Sequence, residues 1–314
     1  MWTFRLFPEA ASTGAREVDL LYFALIAISA FFMVVVFGPL IFFAIKYRRR
    51  SKADRTNPPH GSFALEMTWT AIPLFISFGL FTWGAMAYFD IERAPKNALR
   101  IDVVGKQWMW KLQHAEGKRE IDELHVPVGQ TVLLTMTSQD VIHSFYVPAF
   151  RVKQDVLPGR YTTEWFKPTR TGEYHLFCAE FCGTEHSGMI GRVVVMEPNA
   201  YEQWLTTGDV ALPSVAAGQR LFTQLGCSGC HGDSSKIPAP RLEGIFGKPV
   251  PLNGGATTIA DEKYIRDSIL MPGAQIAAGY ENLMPTFKDR ITEEELMQVI
   301  TYIRSLSETN TPAR

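Results

Sequence analysis

Two long stretches of this chain are too apolar to be left in water. Residues Leu20 to Ile45 carry no charged side chain, and Phe63 to Phe89 carry only Glu66. Each exceeds the roughly 20 apolar residues that cross a bilayer as a helix. Inside a bilayer every backbone polar group must be satisfied within its own segment, which forces each stretch into a helix. Two transmembrane helices, rather than a pair of buried core helices, are expected. Gly38, Pro39 and Pro73 interrupt the pattern, and membrane helices tolerate such residues better than soluble ones.

The segment between the spans holds Lys46, Arg48, Arg49, Arg50, Lys52 and Arg55. Basic residues in a short loop mark the cytoplasmic side, so both ends of the chain are expected outside. No small-residue cleavage site follows the first span, which reads as a retained anchor. The expected organisation is an outer segment over 1–19, spans over 20–45 and 63–89, a cytoplasmic loop over 46–62, then everything from 90 onward outside the cytoplasm. The formal charge is only −1 in 314 residues, with no signal for nucleic acid.

Residues 90–197 read as all-β. Ile101–Val104, Thr131–Met136, Tyr161–Phe166, Glu173–Phe177 and Arg192–Met196 are short β-prone runs. Pro127-Val-Gly129, Pro158-Gly159 and Thr171-Gly172 are turn signals between them. Short strands at this spacing suggest a sandwich. Trp108 and Trp110 stand two apart, the spacing of one strand face. Residues 198–213 read as a connector with a short helix near Tyr201–Leu205. From 214 to 310 the pattern is helical: Ala216–Leu225, Asp261–Leu270, and Thr292–Leu306 with a Thr292/Glu295 capping box and a Leu296, Val299, Ile300, Ile303 stripe.

All four cysteines fall in two compact motifs. The first is Cys178-Ala-Glu180-Phe-Cys182-Gly-Thr-Glu-His186-Ser-Gly-Met189, in the loop between the last two strands. Soft sulfur and imidazole donors select copper, zinc or iron–sulfur, not calcium or magnesium. A simple Cys178–Cys182 disulfide leaves His186 and Met189 at such close spacing unexplained. One mononuclear copper needs a single cysteine, and the second argues for two metals bridged by both thiolates. His143 and His186 are the candidate histidines, and Met189 a weak axial donor. His143 lies just after another strand, where a sandwich can bring the two loops together.

The second motif, Cys227-Ser-Gly-Cys230-His231, is the C-x-x-C-H pattern of covalent c-type haem. Its competing readings are a thiol redox or zinc site. A distal methionine raises the potential of such a haem. Met271 and Met284 are the candidates, each preceding a proline. The remaining histidines, His60, His114, His125 and His175, lack ligand-like spacing and read as surface or hydrogen-bonded residues.

The first motif resembles the copper A motif of the cytochrome c oxidase subunit II family, and the likeness covers nearly the whole chain. Val141-Ile-His143-Ser-Phe is similar to the segment carrying that family's first histidine, Pro158-Gly159-Arg160 to its turn, Gln107-Trp108-Met109-Trp110 to its aromatic stretch, and Glu66-Met-Thr-Trp69-Thr70-Ala-Ile-Pro73 to the start of its second membrane helix. Met109 departs from the aromatic more usual there. Residues 214–310 resemble class I cytochrome c, with a Gly218-x-x-Leu221-Phe222 opening helix.

The resemblance implies a multidomain membrane protein: a two-helix transmembrane hairpin, an all-β cupredoxin-like sandwich and an all-α class I cytochrome c domain. It implies side-chain copper ligation by His143, Cys178, Cys182, His186 and Met189, and ligation by the Glu180 carbonyl. The Glu180 carboxylate would reach magnesium at the border with subunit I. Trp108 would admit electrons, and Glu66 would stand at the mouth of a proton path. Cys227, Cys230, His231 and, favoured over Met271, Met284 would hold one covalent haem c. The implied partners are oxidase subunit I, further oxidase subunits, cytochrome c or another periplasmic donor, and the lipid of a bacterial inner membrane. The implied function is electron relay to the haems of subunit I, where oxygen is reduced to water with proton translocation. A nitrogen-oxide reductase with copper A is the alternative. A pure carrier has no use for Glu66 or the Glu180 carboxylate, and a copper chaperone needs no haem.

Overall fold

The computed structural model describes residues 7–56, 61–207, 214–232, 235 and 237–308, in two compact units. Expectations for His60 and for 208–213 lie outside the described residues.

One unit is a pair of helices, α1 (Thr13–Lys46) and α2 (Phe63–Glu92). Pro39 and Pro73 lie inside continuous helix. Ser62 caps α2 by accepting from the Leu65 amide at 3.4 Å. Large apolar side chains point outward, Val34 with 71% and Phe75 with 73% of their surface free. Protein does not cover them, so lipid must, and the chain is anchored in a membrane.

The second unit opens its ordered core with a β-sandwich. Its strands are β1 (Leu99–Lys106), β2 (Met109–His114), β3 (Arg119–Ile121), β4 (Glu123–Pro127) and β5 (Val132–Ser138). They continue as β6 (His143–Val147), β7 (Val152–Val156), β8 (Thr162–Phe166), β9 (Gly172–Cys178) and β10 (Ile190–Met196). One sheet runs β3-β2-β1-β5-β8, the other β4-β10-β9-β6-β7. Inward positions recur with period two, as in Ile101 and Val103, Trp110 and Leu112, Val193 and Val195, and these fill the space between the sheets. The five expected strands all form. β2, β3, β4, β6 and β7 add to them, their short runs interleaved with polar residues such as Lys111, Gln113 and Asp155.

Two expectations change in detail. His143 opens β6 instead of trailing a strand, because β6 pairs with β7 in a hairpin that sets His143 opposite Val156. Trp108 lies in the turn between β1 and β2, while Trp110 is on β2 and fully buried, so the two do not share one strand face.

Helix α3 (Pro198–Thr206) follows, and it is fastened to the sandwich. His114, wholly buried, hydrogen-bonds Glu120 through Nε2 at 2.8 Å and the Tyr201 hydroxyl of α3 through Nδ1 at 2.9 Å. The other Glu120 oxygen takes His125 Nδ1. The His125 ring stacks on Trp204 of α3, centroids 4.4 Å apart. Lys118 reaches the Thr207 carbonyl.

The remaining elements are α4 (Ser214–Gln224), α5 (Ser228–His231), a hairpin of β11 (Pro249–Pro251) and β12 (Thr257–Ile259), α6 (Glu262–Leu270) and α7 (Glu293–Glu308). Their shared core holds Phe222, Ile265, Ile269, Phe287, Leu296, Val299, Ile300 and Ile303, including the whole predicted stripe of α7. Helices α4 and α7 meet at Gly218, where a Cβ would fall 2.0 Å from the Gln298 carbonyl oxygen. The capping box closes reciprocally: Glu295 N donates to Thr292 Oγ1 at 3.3 Å and Thr292 N to Glu295 Oε2 at 2.9 Å.

Candidate functional site

The sandwich brings the five donors of the first motif together with His143 at one end. Cys178 ends β9, Met189 directly precedes β10, and the loop between them returns Cys182 and His186 beneath β6. The Cys178 and Cys182 sulfurs lie 3.8 Å apart, well beyond the ~2.05 Å of a disulfide. His143 turns Nδ1 toward Cys178 at 3.9 Å, and His186 turns Nδ1 toward Cys182 at 3.4 Å. The Glu180 carbonyl oxygen is 3.2 Å from the Cys178 sulfur, and Met189 Sδ is 3.8 Å from the Cys182 sulfur. His143, Cys178, Cys182 and Met189 are buried, whereas Glu180 is exposed. Each sulfur therefore has its own imidazole and one further weak donor. That two-sided set suits a pair of soft or borderline ions sharing both thiolates.

The electrostatics separate the two thiols. Burial opposes ionisation of Cys178, but hydrogen bonds with His143 and with the backbone at Glu180 and Ser144 outweigh it and bring the thiol to about 6. Burial and the neighbouring Cys178 charge push Cys182 up to about 12. The pair is thus split, Cys178 favouring the thiolate and Cys182 the thiol.

Further residues support the donors, and sequence spacing did not single them out for this work. The Asp140 carboxylate bonds His143 Nε2 at 2.9 Å and accepts from the amides of Gln107 at 2.8 Å and Val141 at 2.7 Å. It orients the imidazole from behind, as carboxylates do for metal-binding histidines. Gly105 leaves room for that ring, since a Cβ there would sit 3.0 Å from His143 Cδ2 and 3.3 Å from Trp110. Gln107 Nε2 and Trp108 Nε1 both donate to the Cys182 carbonyl, at 2.8 and 3.2 Å. Gly183, at φ +118°, allows this approach: a Cβ would lie 2.9 Å from Gln107 Nε2. The D-x-x-H spacing of Asp140 and His143 was the signal available for the first of these. Glu66, the other singled-out carboxylate, stands in the first turn of α2.

The second motif lines an apolar cavity between α5, α6 and α7. Cys227, Cys230, His231 and Met284 share its wall with Phe222, Ile265, Ile269 and Val299. His231 Nδ1 donates to the Pro240 carbonyl at 2.8 Å, which leaves Nε2 as the free lone pair. Met271 directly follows α6 with half its surface exposed and takes no part in the wall. Two thiols, an oriented imidazole, a thioether and an apolar lining suit a c-type haem.

Comparison with known proteins follows the same divisions. Residues 1–83 match the family model "Cytochrome C oxidase subunit II, transmembrane domain", 117–197 match "Cytochrome C oxidase subunit II, periplasmic domain", and 215–307 match "Cytochrome c". Cytochrome c oxidase subunit 2 of Alkalihalophilus pseudofirmus is 30% identical over 298 residues, covering 90% of this chain and 84% of that protein. The protein of the same name from Synechocystis sp. is 31% identical over 248 residues, covering 64% and 75%. Among solved structures, the periplasmic domain of subunit II of cytochrome oxidase from Bradyrhizobium japonicum is 34% identical, covers 36% of this chain and 94% of that one, and superposes with a TM-score of 0.35. With these likenesses spanning membrane helices, sandwich and helical domain alike, the chain belongs to the cytochrome c oxidase subunit II family and carries a cytochrome c domain after its sandwich.

Proposed function

We propose that this chain is the electron-relay subunit of a proton-translocating cytochrome c oxidase, with one covalent haem c and a dinuclear copper A centre. The observation that carries the reading is the pair of unbonded thiols 3.8 Å apart, each facing a different imidazole Nδ1. His143, Cys178, Cys182, His186 and Met189 would hold the copper ions with the Glu180 carbonyl, and Cys227, Cys230, His231 and Met284 would hold the haem. When bound, these groups supply one-electron redox chemistry at two points of one chain.

The residues do the rest. Burial of the sulfurs excludes water, and Asp140 fixes the His143 ring. The Trp108 indole bonds the Cys182 carbonyl and offers a conjugated contact at the edge of the site, which supports its role as electron entry. The exposed Glu180 carboxylate is free to reach magnesium at the border with subunit I. Glu66 would open a proton path from the cytoplasmic face, with the basic loop on that side and both redox domains outside the inner membrane of a bacterium. The donor is cytochrome c or another periplasmic carrier, and the acceptors are the haems of subunit I.

The test is electron paramagnetic resonance, visible spectroscopy and metal analysis of the purified full-length protein after haem maturation and copper loading. Two coppers sharing one unpaired electron and one covalent haem are expected. A single-copper signal, or a Cys178–Cys182 disulfide in matured protein, overturns the reading.

A further inference from the structure

Helix α7 begins with three glutamates, and each has a different task. Glu295 closes the capping box. Glu293 binds Arg266 inside the cytochrome domain, through two contacts at 2.6 and 3.1 Å. Glu294 leaves its own domain: one oxygen takes Lys111 Nζ at 2.8 Å and the other takes Gln139 Nε2 at 2.9 Å. Lys111 Nζ in turn approaches Gln139 Oε1 at 3.4 Å, so the three side chains close a ring.

The grip continues along the same faces. Gln298 lies four residues beyond Glu294 on α7, and Gln113 two beyond Lys111 on β2, so the helix period and the strand period come into step. Gln298 Nε2 donates to Gln113 Oε1 at 3.1 Å, and Gln113 Nε2 donates to Ser214 Oγ at 3.2 Å. All three of these residues are buried.

Where Glu294 holds the sandwich matters more than how strongly. Lys111 stands on β2 three residues after Trp108. Gln139 precedes Asp140, and its amide donates to the Gly105 carbonyl at 2.9 Å. The two gripped segments are those that present Trp108 and, through Asp140, His143.

We propose that Glu294 is a positioning residue for electron transfer: it docks the cytochrome domain on β2 and fixes the two segments that carry Trp108 and His143 at the copper end. The proposal concerns how the relay is held and rests on the relay reading for its consequence, though not for the docking itself.

The experiment uses full-length protein in detergent, as wild type, Glu294→Ala, Lys111→Glu, and the charge-exchanged double variant Lys111→Glu/Glu294→Lys. Hydrogen exchange at the Gln107 and Gln139 amides should rise about 10-fold in each single variant, with strand β10 unchanged. The double variant should return both amides to wild-type rates, because the Gln139 amide can serve the exchanged pair in the flipped orientation. In copper- and haem-loaded protein the same single variants should slow internal haem-to-copper transfer about 10-fold, with rescue by the double. Unchanged exchange in the single variants overturns the proposal, as does exchange that rises equally in β10 or is not restored by the double. Absence of the two-copper signal in wild type overturns the relay reading alone, since the exchange result stands without metal.

Discussion

Gly105 shows how little room the copper end has at the level of one residue. Gly105→Ala would drive a methyl to 3.0 Å from the His143 ring and 3.3 Å from Trp110, both fully buried. Overpacking of this kind costs about 1–3 kcal/mol. The expected outcome is a lower midpoint in urea unfolding of the metal-free protein and, after loading, an altered copper spectrum. Gly14, in the first turn of α1 with nothing within 4 Å of its Cβ and no left-handed backbone, serves as the contrast in position. The ligand candidates were legible because the chain stores them as spacings: twelve residues hold Cys178, Cys182, His186 and Met189. Gly105 and Gly183 were not, because their work is defined by atoms that only the fold brings near, whereas Asp140 left the D-x-x-H spacing with His143 as its one trace. The choice of Met284 over Met271 rests on resemblance; Met284 lines the cavity and Met271 does not.

At the scale of elements, α3 is the instructive case. Its sequence reads as a connector, and its helix was visible in Tyr201–Leu205, but its fastening was not. His114, Glu120, His125, Tyr201 and Trp204 come from four separate elements with no common period. Burial opposes ionisation of Glu120, but hydrogen bonds from His114 and His125 outweigh it and hold the carboxyl below its ordinary 4.5. A depressed carboxyl contributes stability above its unfolded value and loses it as pH falls through its folded value. The α3 fastening should therefore be intact at neutral pH and fail in acid, below 4.5. Trp204 fluorescence over an acid titration checks this: a red shift is expected in that window, and Glu120→Gln, with no carboxylate to protonate, should lack that transition. The missed strands have a related cause. In β2, polar Lys111 and Gln113 alternate with buried Trp110 and Leu112, and those polar residues face the cytochrome domain instead of water.

At the scale of the whole molecule, domain order was legible from composition: two apolar spans, a β-rich middle and a helical remainder, matched by the family likeness to each. The seam between sandwich and cytochrome domain was not, because its polar residues look like ordinary surface until a partner covers them. Both neighbours of the intervening segment are tied to the sandwich, Thr207 through Lys118 and Ser214 through Ala115 and Gln113. A protease site inserted between Thr207 and Ser214 should thus cut the chain without releasing the cytochrome domain at about 0.1 M salt, as gel filtration would reveal. The same cut in Glu294→Ala should let the pieces part more readily at that same salt, because the variant loses the Lys111 ion pair while the neutral Gln113, Gln298 and Ser214 contacts stay.

The gap between Cys178 and Cys182 also bears on how such a protein is made. The two thiols lie 3.8 Å apart, and on the proposed outer side of a membrane the surroundings favour a bond between neighbouring thiols. Once joined, the sulfurs can no longer bridge two ions. On the proposed copper reading, biogenesis is a race between oxidant and metal, and both thiols must stay reduced until the ions arrive.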